Sequence, residues 1–297
     1  MKILVCGGDA RQLYAAKKLR GDGYDISFAL TDGGNDEKTA FAGKIEDADA
    51  VLLPLPAFRA GLFNAPASSL RLGIAELAAL LRNAKIVIGG ILPPALTDAP
   101  DVRGVGFFDY YPDPAFTLPN ALLTAEGVLG ILISQTPRAV RNAEYLIAGY
   151  GCCGRATARS LAAAGARVTV AARREDARES AEADGCFSSS FEDLPSIASR
   201  FDAVVNTVPA PVIEADVICR LKKDALLLEI ASAPFGVDFE AAAKENIRVI
   251  KAPGIPGRFA ADSAGQIIAS CAEKYLRQCR AAELCGLAAN KKGEEAL

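Results

Sequence analysis

The stretch Glu144-Tyr145-Leu146-Ile147-Ala148-Gly149-Tyr150-Gly151-Cys152-Cys153-Gly154 decides the fold of the second half of the chain. Its first five residues have strand character and feed a Gly-x-Gly-x-x-Gly turn. An Ala-rich helical segment, Arg155–Ala164, and a second strand, Ala166–Val170, follow. Strand, glycine turn, helix and strand in this order form the opening unit of a Rossmann dinucleotide-binding domain. Gly149 makes the tight turn, Gly151 lets main-chain amides approach a pyrophosphate, and Gly154 lets the helix press onto the sheet. The helix N-terminus adds a partial positive charge. Tyr150, Cys152 and Cys153 occupy the variable positions and join the cofactor-binding candidates; small size explains the two cysteines better than an acidified thiol does. A degenerate domain without ligand and a methyltransferase that binds S-adenosylmethionine are the competing readings of the turn alone.

Later segments favour a nicotinamide coenzyme. An NAD site carries Asp or Glu ~20 residues beyond the turn, where it holds the adenosine ribose hydroxyls. Here the second strand ends Val170-Ala171-Ala172-Arg173-Arg174. Two guanidinium groups match a 2′-phosphate in charge and fork geometry, so NADP is expected over NAD. Further strands at Ala203–Asn206, Ala225–Ile230 and Arg248–Ala252 each close in a small-residue turn at the carboxyl end, where open α/β sheets bind ligands. Asn206, Thr207, Val208 and Pro209 are therefore expected beside the nicotinamide ribose. Ala231, Ser232, Pro253 and Gly254 complete the candidate edge, with Ser232 near the nicotinamide or the substrate.

Working outward, the first half also alternates strand and helix: Lys2–Cys6, Arg11–Arg20, Asp25–Leu30, Ala50–Leu53 stopped by Pro54 and Pro56, Gly73–Arg82 and Lys85–Ile88. This predicts a flavodoxin-like domain over residues 1–122. Pro112, Pro114 and Pro119 predict a loop leading out of it, with helix returning after Asn120. A bridging helix is expected over 123–142, capped by Thr124, and the Rossmann domain over 143–262. A C-terminal helix, 263–285, should return to dock on the first domain, ahead of a frayed tail at 286–297. The fold class is thus α/β, two doubly wound parallel-sheet domains with a cleft between them.

Bulk properties narrow the chemistry. The 297 residues carry a net charge of −3 and are 51% apolar. No basic stripe interleaved with aromatics marks a nucleic-acid surface. No apolar stretch approaches the ~20 residues of a membrane span without a charge, Gly or Pro break, so a cytoplasmic protein is expected. The eight cysteines are scattered and are expected as reduced thiols, without a metal set. Histidine is absent altogether, which excludes serine–histidine and cysteine–histidine hydrolases and hydroxy-acid dehydrogenases that shuttle protons through histidine.

The chain resembles the dipicolinate synthase A-subunit family over nearly its full length. The resemblance rests on Gly7-Gly8-Asp9-Ala10-Arg11-Gln12, Thr124-Ala125-Glu126-Gly127, Asn206-Thr207-Val208-Pro209 and Ala231-Ser232 before Pro234. Its most specific piece is Ala252-Pro253-Gly254-Ile255-Pro256-Gly257 followed by Ala264-Gly265-Gln266-Ile267-Ile268. The family usually carries Arg where this chain has Cys152, and Lys-Thr where it has Asp262-Ser263.

The resemblance implies an oxidoreductase of sporulation that converts dihydrodipicolinate, from the lysine pathway, to pyridine-2,6-dicarboxylate in the mother cell. It further implies a partner, the flavoprotein-like B-subunit of dipicolinate synthase, and a homo-oligomer is expected. For the two substrate carboxylates the candidates are Arg11, then Arg59 and Arg258, assisted by the Gly7-Gly8 amides. Asp9 and Glu126 are candidates for a base or an orienting group, with helix capping as the alternative role of Asp9 and a first-turn dipole contact that of Glu126. Competing functions are an amino-acid or keto-acid dehydrogenase of the alanine dehydrogenase type, and a non-catalytic nucleotide-binding regulatory subunit.

Overall fold

The computed structural model describes residues 1–31 and 38–294, with side chains as far as Arg280. The chain divides into two compact units, Met1–Thr117 with Ala261–Leu297, and Leu118–Ala260.

The first unit runs β1 (Lys2–Cys6), α1 (Ala10–Gly21), β2 (Asp25–Ala29), α2 (Lys38–Asp47), β3 (Ala50–Leu52), a hairpin of β4 (Phe58–Arg59) and β5 (Leu62–Phe63), α3 (Ile74–Leu81), β6 (Ile86–Gly89), α4 (Pro94–Thr97) and β7 (Gly106–Asp109). Five strands form a parallel sheet in the order β2-β1-β3-β6-β7. Leaving out the hairpin, this is the 2-1-3-4-5 order of flavodoxin-like sheets. Strand alternation loads both faces: Leu4 and Cys6 of β1 enter one core with Phe41, Leu77 and Val87, while Ile3 and Val5 enter the other with Ala15, Leu19 and Ile268. Burial on both faces accounts for the continuous apolar run of β1.

The helix α5 (Pro114–Gln135) begins in the first unit and continues into the second, which then runs β8 (Glu144–Ala148), α6 (Cys152–Ala163), β9 (Arg167–Ala171), α7 (Glu175–Ala183), β10 (Phe187–Ser189), α8 (Leu194–Ile197), β11 (Ala203–Asn206), α9 (Ala215–Ile218), β12 (Leu226–Glu229), α10 (Phe239–Lys244), β13 (Arg248–Lys251) and α11 (Ile255–Phe259). Its six parallel strands lie in the order β10-β9-β8-β11-β12-β13, the 3-2-1-4-5-6 order of the Rossmann fold. Tyr145 and Ile147 face one core, Leu146 and Ala148 the other.

Two local expectations are corrected. The proline-rich stretch is helical from Pro114, because Asp113 accepts the Ala115 amide at 2.9 Å and proline suits the first helical position, where its missing N–H is not needed. Thr124 consequently caps nothing; it is buried in mid-helix with its hydroxyl donating to the Asn120 carbonyl at 2.9 Å. By length and composition α5 could cross a membrane, yet half of its most apolar window is buried, with Val128, Ile131 and Leu132 in a core beside β8.

The last helix, α12 (Ala261–Glu294), packs on α1. A Cβ on Gly265 would lie 2.6 Å from the Arg11 carbonyl oxygen and 2.6 Å from Tyr14 Cβ, so glycine sets how closely the two backbones approach. The helix runs past Gly286, where fraying is expected from sequence, since its Ala, Glu and Lys residues are strong helix formers. The final residues of that tail, 295–297, lie outside the described residues.

Candidate functional site

The three fingerprint glycines have three different physical reasons. Gly149 adopts φ 95°, and a Cβ there would meet Thr207 Oγ1 at 2.5 Å and Val208 Cγ2 at 2.7 Å. A Cβ on Gly154 would lie 2.2 Å from the Gly149 carbonyl oxygen, so the first turn of α6 rests directly on the turn. Gly151 has ordinary backbone angles and nothing within 4 Å of a built Cβ. That space above the turn is what a pyrophosphate needs. No side chain caps α6 at Gly151, so its first amides remain for an anion. The residues present therefore fit a dinucleotide.

Around the turn, Thr207 donates through both its amide (3.0 Å) and its hydroxyl (2.8 Å) to the Ala148 carbonyl. Cys152 is exposed and Cys153 half-buried; burial pushes the Cys153 thiol up in spite of a hydrogen bond with Thr124, so it is no activated nucleophile. Tyr150 is half-buried against the core beside β8, and its hydroxyl donates to Asp184 at 2.5 Å. Asp184, which sequence reading does not single out, also binds Arg155 at 2.8 Å and Arg159 at 2.6 Å. These hydrogen bonds, Arg159 first, hold its carboxyl far below the usual carboxylate range.

At the tip of β9 the two arginines behave differently. Arg174 pairs with Asp176 across two residues, which offsets its charge. Arg173 is exposed, and among the described residues no carboxylate pairs with its side chain. The expected arginine pair is thus reduced to one guanidinium ready for an anion.

Asn206 serves as an internal bracket between two loops. It is fully buried, and its amide donates to Val208 O and to both oxygens of Glu229, each at 2.9 Å. Val208 is half-buried and Pro209 exposed on the same turn; Ala231 is buried, whereas Ser232, Pro253 and Gly254 are exposed at the carboxyl edge of the sheet. Glu126 lies in the middle of α5 and exposed, not in its first turn. Arg258 is exposed on α11, its guanidinium 5.9 Å from the Phe259 ring.

The candidates of the first unit meet each other, but mostly to hold their own loop. Asp9 caps α1, accepting the Arg11 amide at 3.1 Å and Arg11 Nε and Nη2 at 2.8 Å each. Burial works to raise the Asp9 carboxyl, but the hydrogen bonds and charge of Arg11, with the nearby charge of Arg59, outweigh it and hold the group low. This geometry gives Asp9 the helix-capping role that the sequence offers as its alternative. Arg11 is itself buried and spends Nη2 again on Leu55 O at 2.7 Å, and among the described residues no hydrogen-bond partner takes its Nη1. The Gly7 and Gly8 amides bind Ala29 O at 3.0 Å and Asn64 O at 2.7 Å, so they are not offered to a carboxylate. Arg59 stands exposed on β4.

Comparison with known proteins follows the same division. Residues 2–111 match the N-terminal domain of the dipicolinate synthase A-subunit, and residues 133–243 match the NAD-binding domain of D-isomer specific 2-hydroxyacid dehydrogenases. The dipicolinate synthase A-subunit of Bacillus subtilis (strain 168) is 28% identical over 95% of this chain and 98% of its own. The crystal structure of the dipicolinate synthase A-subunit from Bacillus halodurans aligns with a TM-score of 0.79 at 27% identity, covering 93% of this chain and 97% of that one. That of its Bacillus subtilis counterpart aligns at 0.78 and 27%, covering 95% and 97%. The chain is thus similar to the dipicolinate synthase A-subunits over nearly its whole length, and its second half matches a dehydrogenase-type NAD-binding domain.

Proposed function

We propose that this protein is the oxidoreductase subunit of a dipicolinate synthase, converting dihydrodipicolinate and NADP⁺ to pyridine-2,6-dicarboxylate, NADPH and a proton. It works in the cytoplasm of the mother cell, as a homo-oligomer and together with a flavoprotein-like B-subunit. The observation that carries the reading is the open, uncapped fingerprint turn, with Arg173 at the tip of the neighbouring strand facing no carboxylate among the described residues. The bound coenzyme supplies the hydride acceptor.

The chain's own residues then have modest tasks. The amides of the first turn of α6 bind the pyrophosphate, and Arg173 binds the adenosine 2′-phosphate. Thr207, Val208 and Pro209 with Ser232 border the nicotinamide end. Arg59, Arg258 and Arg11 are the guanidinium candidates for the two carboxylates. The chain has no histidine, and aromatising a dihydropyridine needs none: the product's stability drives the loss of one proton, so positioning does most of the catalytic work.

The test is an NADPH-formation assay with dihydrodipicolinate in the presence of the B-subunit, run beside NAD⁺. Formation of dipicolinate with NADP⁺ is the expected result. Tight NADPH binding with no dipicolinate formed would instead leave a nucleotide-holding regulatory subunit.

A further inference from the structure

One buried acid ties together the loops that follow β11 and β12. Glu229, the last residue of β12, is 0% exposed. Its two carboxylate oxygens accept the Asn206 side-chain amide and the Ala231 amide at 2.9 Å each, the Gly236 amide at 2.9 Å and the Val237 amide at 3.1 Å. Every partner is a donor, which matches the acceptor-only carboxylate. Among the described residues no cation pairs with it. The residue is therefore not a buried half of an ion pair but an anchor for backbone.

What it anchors lies at the coenzyme edge. Ala148, Asn206, Glu229 and Lys251 stand in one row across the sheet, and Ala148 ends the strand that feeds the fingerprint turn. From that row, the turn after β11 and the loop Ala231–Val237 pack as one body. A Cβ on Gly236 would lie 2.6 Å from Ala210 O, Val208 O and Asn206 Nδ2 alike. Val212 and Ile213 both donate their amides to Gly236 O. On the outer side, the Lys251 ammonium sits 3.5 Å from the Phe239 ring centroid and 5.3 Å from that of Phe235, and these rings meet edge to face. Only Ser232, Ala233 and Pro234 at the tip stay exposed.

We propose that Glu229 is a positioning residue: its carboxylate fixes the loops after β11 and β12 as a single wall for the nicotinamide half of the coenzyme. The fingerprint turn and Arg173, which Glu229 does not touch, hold the adenosine half. The inference rests on the coenzyme reading above. Lys251, through the two phenyl rings, braces the same loop from outside.

Glu229→Gln keeps the size of the side chain but turns a donor toward amides that need an acceptor. Two ligands separate the halves of the site: NADPH, followed by nicotinamide fluorescence, and 2′-phospho-ADP-ribose, which lacks nicotinamide, followed by calorimetry. The variant is expected to bind NADPH about tenfold more weakly while holding 2′-phospho-ADP-ribose within about twofold of the wild type. Lys251→Met, at an exposed position that leaves folding intact, moves NADPH in the same direction by about threefold.

Equal losses for both ligands, or no loss for either, overturn the proposal. Should Glu229→Gln not fold, amide hydrogen exchange on the wild type decides: Ala231, Gly236 and Val237 exchange slowly although they lie in a loop, and rapid exchange there refutes the anchor. A wild-type protein that binds neither ligand removes the coenzyme reading itself, which the exchange pattern does not touch.

Discussion

The Thr207 hydroxyl donates to the carbonyl of Ala148 at 2.8 Å, and the same oxygen stands 2.5 Å from where Gly149 would carry a Cβ. Thr207 thus buttresses the fingerprint turn from the neighbouring strand end. Thr207→Val keeps the shape and the amide bond but removes the hydroxyl. A lost neutral hydrogen bond should lower stability by about 0.5–1.5 kcal/mol. NADPH affinity is expected to fall several-fold, because the turn loses a fixed support; thermal unfolding and fluorescence titration measure the two effects. Unchanged values in both would show that the hydroxyl bond does not hold the turn.

The glycines of the turn separate folding from binding. Gly154→Ala drives a methyl group to 2.2 Å from the Gly149 carbonyl, so α6 must move, and overpacking of this kind costs about 1–3 kcal/mol. Gly151→Ala meets no protein atom. It should therefore leave the melting temperature nearly unchanged while the methyl group occupies the space that a pyrophosphate needs, and coenzyme binding is lost. A Gly151→Ala protein that binds NADPH as the wild type does would move the pyrophosphate away from this turn.

The same site shows what sequence alone can and cannot reveal. The turn and the inner strands of both sheets are legible because their signals are local: a continuous apolar run at Tyr145–Ala148, glycines at fixed spacing, and a strand tip at Ala172–Arg173, whereas the short edge strands β7 and β10 carry no such signal. Glu229 and Asp184 are not legible, since their partners come from elsewhere in the chain. Glu229 binds Asn206 and Gly236, and Asp184 gathers Tyr150, Arg155 and Arg159. Nothing in composition distinguishes such an acid from one on a solvated face. Arg11 misleads for a related reason: its partners Asp9 and Leu55 turn a helix-face arginine inward. The prolines before α5 mislead because Pro114 falls where a helix tolerates proline.

Coenzyme choice rests on Arg173 more than on Arg174. Arg174 is paired with Asp176, whereas Arg173 has no carboxylate partner among the described residues. Arg173→Ala is expected to weaken NADPH by about 1.5–3 kcal/mol, the worth of a hydrogen bond to a charged group, with NADH little changed. Arg174→Ala should cost less, and Asp176→Ala, which frees Arg174, should tighten NADPH. Parallel titrations with both coenzymes decide; equal losses for NADPH and NADH in Arg173→Ala would place that arginine away from the 2′-phosphate.

Asp184 gives the domain a specific acid response. Its carboxyl is held low by Arg159, Arg155 and the Tyr150 hydroxyl, so the folded state binds a proton there less readily than the unfolded chain, where an Asp titrates near ~3.9. The group's contribution is present above that value and disappears as pH falls through the depressed folded value. Asp184→Asn removes the contribution at neutral pH and removes its pH dependence as well. Melting curves from about pH 7 down to about pH 2 should therefore show the wild type more stable at the upper end. The two proteins then converge as acid is added, because protonated Asp184 loses what the variant never had. Parallel curves with a constant gap would mean that Asp184 supports the domain by packing and not by charge. The Tyr150 hydroxyl offers a second check, since burial and then its bond to Asp184 push it above the usual phenol range. In Asp184→Asn the charge is gone and the hydrogen-bond partner weakened, so an alkaline absorbance titration should find this phenol at lower pH than in the wild type.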